Sequence, residues 1–166
     1  MISVFNEASV IAVFERNLEA AKRKLSELEI CGDSTCNFRG LTGWIFERTI
    51  HYCLIKEFEA LALTMSIQEE APLVGRVRVD LLVGRAFIEL KTAGCFSQDE
   101  VQKYARYREI ANGCGQEFLF LTMAETYQPN RVALLKILGM EAVYFLDTDG
   151  DWTRLVRRLL ELRDLK

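Results

Sequence analysis

The sequence has only two prolines, a single histidine and no apolar stretch near the ~18 residues of a membrane span. With 50% hydrophobic and 27% charged residues, so little proline gives the composition of an ordered globular protein rather than a disordered one. No basic excess exists either. The 21 Lys and Arg against 24 Asp and Glu leave a formal charge of −3, which excludes an indiscriminate nucleic-acid coat. No cysteine lies two residues from another, so a zinc clip is absent, and five cysteines leave one unpaired in any disulfide scheme. Free thiols in a reducing compartment are expected, with a Cys31–Cys36 pair as the one alternative. Met1 to Glu15 lacks the basic start and small-residue cleavage site of a signal peptide, so the expected location is the cytoplasm, with no membrane association.

What is present reads as one α/β domain over residues 1–166. Apolar residues from Asn6 to Glu29 recur at three-and-four spacing and predict a long helix, and Thr42 to Ala60 predicts a second. The period then changes to alternation, giving strands over Leu63–Glu69, Arg76–Val83 and Ala86–Lys91. Ser97 and Glu100 form a capping box for a helix to Ala111. A buried strand Glu117–Met123, a helix Arg131–Leu138, a strand Ala142–Leu146 and a helix Trp152–Leu165 complete the order α-α-β-β-β-α-β-α-β-α.

The chemistry concentrates in RVRVDLLVGRAFIELK, Arg76 to Lys91. A two-residue turn at Gly84-Arg85 pairs Val83 with Ala86 and fixes the register, so that Asp80 faces Glu89 and Arg78 faces Lys91. Strand alternation then gives Val77, Val79, Leu81, Val83, Ala86, Ile88 and Leu90 one apolar face and leaves Asp80, Glu89 and Lys91 on the other. Two opposed carboxylates repel, and an oxygen-preferring divalent cation, Mg²⁺ or Mn²⁺, would reverse the sign of that interaction. A lysine beside them can orient a water or hold a phosphate oxygen. The alternative is an ordinary strand face whose charges screen one another.

A third carboxylate supplies context. Glu47 interrupts the apolar Trp44-Ile45-Phe46 of the second helix, and a buried Glu is rare unless paired or metal-bound. His51 lies one turn further along and shares its face, though a lone histidine is more often packed or at the surface. The capped helix after the hairpin carries Gln102, Lys103, Arg106 and Arg108 among Tyr104 and Tyr107, a mixture that suits a phosphate backbone and equally suits a solvated amphipathic helix. The arginines of the last helix, Arg154, Arg157, Arg158 and Arg163, fit a solvated face.

Val79-Asp80, then Glu89-Leu90-Lys91, with Glu47 in the helix before and Gln102 in the helix after, resembles the PD-(D/E)XK phosphodiesterase superfamily of restriction-endonuclease-like fold. The stretch Gly40 to Glu47-Arg48 resembles the Holliday-junction resolvase and RecB-like branches. The resemblance covers a core of residues 42–123. A first helix over residues 6–29 and an extension over residues 124–166 lie outside it. Val79 stands where the family has proline, and Tyr107 follows Gln102 by five residues rather than four.

The resemblance implies an α-β-β-β-α-β core and a Mg²⁺-dependent nuclease acting on DNA; an endonuclease is the favoured expectation, with an exonuclease left open. Asp80, Glu89 and the Leu90 carbonyl would hold the metal, and Glu47 a second metal or its water. Lys91 would position the attacking water, and Gln102 would orient Lys91 or the phosphate. Arg78, Lys103 and Arg106 are the expected nucleic-acid contacts, a homodimer is compatible with cutting two strands, and no organic cofactor is implied. The rival expectation is a catalytically silent nucleic-acid-binding or assembly subunit of the same fold; a plain interaction module with a slipped hairpin register is a further one. Residues 76–108 carry seven basic and four acidic groups, so the acidic total still permits a focused phosphate site.

Overall fold

The computed structural model describes residues 3–27, 38–95 and 97–164. Cys31, Cys36 and the segment between them lie outside the described residues, as does most of the Cys31–Arg39 stretch. The order expected from the sequence is found: α1 (Glu7–Glu27), α2 (Phe38–Ala60), β1 (Ile67–Val74), β2 (Val77–Val83), β3 (Ala86–Lys91), α3 (Gln98–Gly113), β4 (Glu117–Thr122), α4 (Gln128–Leu138), β5 (Val143–Phe145) and α5 (Asp151–Asp164). The strands form one sheet in the order β1-β2-β3-β4-β5. The pairs β1–β2 and β2–β3 are antiparallel, whereas β3–β4 and β4–β5 are parallel, so the sheet is mixed.

Each element follows from its residues. Asn6 and Ser9 exchange side-chain bonds to each other's backbone N–H (2.9 and 2.8 Å), closing the first turn of α1. Ser97 accepts the Glu100 N–H at 3.2 Å and starts α3, as its capping box requires. Gly84 takes a φ of +57° at the hairpin turn, where a side chain would strain, and the pairs Val83↔Ala86, Leu82↔Phe87 and Leu81↔Ile88 are those the turn dictates.

The first strand is displaced. It begins at Ile67 and runs through Pro72 to Val74, where the sequence suggested Leu63 to Glu69. Proline reads as a strand stop, yet β1 is an edge strand paired only with β2, and on an edge a missing N–H is tolerated. The pairing also shifts between Pro72 and Val74, a bulge that alternation alone does not reveal.

Helices cover both faces of the sheet. On one, Phe46, Ile50, Leu54 and Phe58 of α2 join Val79, Leu81, Ile88 and Leu90 in the core, with Phe14 of α1 edge-on to Phe46 at 5.6 Å. On the other, Tyr104 of α3 stacks on Phe118 and tilts over Phe120 of β4, 6.1 and 5.0 Å away. Trp152 anchors α5, and its indole N–H donates to the buried Glu57 at 2.9 Å. Glu57 also accepts the Val4 and Phe5 N–H groups (both 2.9 Å) and the Ser3 hydroxyl (2.5 Å), tying the N-terminal segment and α5 to α2. Nothing in the sequence marks this acid, which looks like any other helix Glu.

The ends of β3 and β4 are fastened together. Lys91 O accepts the Met123 N–H at 3.0 Å, Gly94 N donates to the Thr122 hydroxyl at 3.0 Å, and Glu125 accepts the Cys95 N–H at 2.7 Å. Gly94 adopts φ +73°, and a Cβ there would fall on the Glu125 carboxylate, so only glycine fits. Cys53 and Cys95 are buried free thiols, which burial pushes up to about 12, and Cys114 is an exposed one.

Candidate active site

The strand faces sort the site residues as alternation requires. Val79, Leu81 and Val83 are buried, and Asp80 lies on the opposite face of β2. The paired stretch of β2 and β3 ends at Leu81↔Ile88, one step before Asp80, whose charge reaches Glu89. Its Oδ2 accepts the Leu90 backbone N–H at 2.6 Å, so the side chain takes a donor on the neighbouring strand. On β1, Glu69↔Leu81 and Ala71↔Val79 bracket Glu70, which puts a further acid beside Asp80; its φ of 50° is unusual for a strand residue.

Glu89 is buried, and burial followed by the charge of Asp80 raises its carboxyl to about 7; Lys91, Lys103 and Tyr104 oppose this less strongly. Asp80 is also raised, by burial first and then by Glu70, against the pull of the Leu90 N–H, Lys91 and Lys103. Glu47, half-buried on α2, is raised to about 7 by burial and by Asp80, Glu70 and Glu69. The charge of Asp80 therefore reaches both Glu47 and Glu89, and all three carboxyls are less acidic than usual.

Lys91 closes the group. Its Nζ lies 3.8 Å from Glu89 Oε1 and 3.3 Å from Glu100 Oε1. Burial works against its charge, but Glu89 and Glu100 more than offset that, so the ammonium stays above the ordinary lysine range. Tyr104, fully buried, donates its hydroxyl to the same Glu100 oxygen at 2.9 Å. Glu100 and Tyr104 are thus the α3 groups that position Lys91, while Gln102, expected in that role, is exposed on the same helix. The i,i+4 pair Glu100/Tyr104 was visible in the sequence, but Glu100 was already accounted for by its capping box.

The expected nucleic-acid contacts are spread around this centre. Lys103 lies over the Tyr104 and Tyr107 rings (5.0 and 5.1 Å) and acts electrostatically on both Asp80 and Glu89. Arg78 is exposed and donates to the Glu70 carbonyl at 2.7 Å, and Arg106 is exposed on α3. On the α2 side, Arg48 Nη1 bonds Glu69 at 2.7 Å, and the same oxygen meets His51 Nδ1.

Among the described residues no three His, Cys, Asp or Glu side chains stand close enough to share one metal ion as placed. The donor chemistry nevertheless fits a hard divalent cation: Asp80 and Glu89 are oxygen donors in a half-dry setting, where burial raises both carboxyls and the charge of Asp80 raises Glu89 further. Comparison with protein-family models, with curated proteins and with solved structures finds no match.

Proposed function

We propose that the protein is a metal-dependent phosphodiesterase acting on DNA, with a restriction-endonuclease-like arrangement of α2, β1, β2, β3, α3 and β4 and with Mg²⁺ or Mn²⁺ as its cofactor. The observation that carries this reading is the pairing of buried Glu89 with Asp80 beside Lys91, carboxylates pressed together at a cost that a structural role does not require. Asp80, Glu89 and the Leu90 carbonyl would hold the ion. Bound there, it would supply Lewis-acid polarisation of the phosphate and a more acidic water.

The remaining chemistry belongs to the chain. Lys91, kept charged by Glu89 and Glu100, holds a phosphate oxygen and orients the attacking water. Glu47, its carboxyl near 7, is suited to take a proton from that water at neutral pH. Lys103 adds positive potential from α3. The absence of a closer three-ligand cluster among the described residues favours the second reading, a silent nucleic-acid-binding or assembly subunit. Incubating plasmid and single-stranded DNA with Mg²⁺ or Mn²⁺ separates the two. The first requires metal-dependent cleavage that Lys91→Ala abolishes, and the second requires none.

A further inference from the structure

A helix that covers one face of a sheet ordinarily turns polar residues outward. α2 does not. Phe46, Ile50, Cys53, Leu54 and Phe58 point into the core, yet Trp44 is 52% exposed, Tyr52 47% and Ile55 37% on the outer side. The arginine and lysine on that side lie over the rings: Arg48 is 5.5 Å from the Trp44 centroid and Lys56 is 5.9 Å from that of Tyr52. Trp44, Arg48, Tyr52 and Lys56 are four residues apart, so ring and cation alternate along one line of the helix. The two rings are separated by about 12 Å at about 1.5 Å per residue.

We infer that this line is a stacking platform for single-stranded nucleic acid, which it delivers to the carboxylate site; the inference rests on the phosphodiesterase reading. Alternating aromatic faces and cations match the alternating bases and phosphates of a single strand, whereas a duplex keeps its base faces stacked inside. Both cations are also ion-paired at the surface, Arg48 with Glu69 at 2.7 Å and Lys56 with Glu59 at 2.6 Å. Exposed pairs of this kind contribute little, so a phosphate can replace either carboxylate. The line is linked to the site through Glu47 and Glu69. Glu47 precedes Arg48 in the chain, and Glu69, which holds Arg48, is one of the charges that press on Glu47.

Binding is measured on the whole chain in EDTA by fluorescence anisotropy of labelled oligothymidylate and of a labelled blunt duplex of equal length, a readout that needs no tryptophan and so serves wild type and variant alike. Trp152 is fully buried, so quenching of tryptophan emission reports Trp44. Oligothymidylate is expected to quench that emission, and the Trp44→Ala/Tyr52→Ala variant to bind it about tenfold or more weakly while melting at the wild-type temperature. Unchanged oligothymidylate affinity in the variant overturns the inference, as does equal affinity of the wild type for the duplex, or a Trp44-dependent dimer with no oligonucleotide binding. Hydrolysis of bis(p-nitrophenyl) phosphate by the wild type, measured separately with Mn²⁺, reports the carboxylate site alone, so failure of the platform and failure of the hydrolytic reading give different results.

Discussion

The Asp80 carboxylate accepts the backbone N–H of Leu90, the residue between Glu89 and Lys91, at 2.6 Å. That bond fixes one acid of the hairpin against the other and keeps the repulsion between them from relaxing by rotation. It also accounts for how an Asp and a Glu nine residues apart come to share a local field.

Removing that repulsion should stabilise the metal-free protein. Asp80→Asn keeps an oxygen for the Leu90 N–H but carries no charge, so it is expected to melt higher than wild type at pH 8. A gain on the order of 1 kcal/mol corresponds to about 2–4 °C. Calorimetry in EDTA checks it, and a lower melting temperature counts against the pairing.

The raised carboxyls set a pH dependence. Glu47 and Glu89 titrate near 7 in the fold and near 4.5 when unfolded, so between those values the folded chain binds more protons. Stability from these two groups therefore falls as pH rises from about 4.5 to 7 and is level above that. Thermal stabilisation by Mn²⁺ should be small at pH 5.5 and larger at pH 8, because ligation needs the ionised forms. A shift in melting temperature that is independent of pH would contradict this.

Glu100 is expected to act through Lys91. Its loss removes one of the charges that keep the ammonium protonated, so Glu100→Gln should move the basic limb of the kcat/KM profile to lower pH. A merely structural role would lower activity without moving that limb.

Glu57 receives four donors and no acceptor. Glu57→Gln turns an amide N–H₂ toward donors and should cost about 2–3 kcal/mol, read as a fall of roughly 5–10 °C in Tm. Cleavage measured well below that Tm should be retained.

The hairpin was legible because its turn fixes its register: Gly84 permits the conformation, and the three pairs from Val83↔Ala86 to Leu81↔Ile88 then follow by counting. Elements with strong periodicity or a cap, such as α3 behind Ser97, were legible for the same local reason. The end of β1 was not, since Pro72 signals a stop and only the strand's place at the sheet edge removes that objection. Within the site, Asp80, Glu89, Lys91 and Glu47 came from the pattern of charges in apolar surroundings. Glu100 and Tyr104 did not, because a helix residue's partner across a gap depends on how α3 lies on β3 and β4. Glu57 and Glu125 were invisible for the same reason, being acids whose donors come from distant backbone.

The central claim is that Asp80 and Glu89 form a cation site. Isothermal titration of the metal-free chain with Mn²⁺ at pH 8 tests it most directly. The account predicts saturable binding in wild type with release of protons, and loss of that binding in Asp80→Ala. A silent titration in wild type, the same as that of the variant, would contradict it.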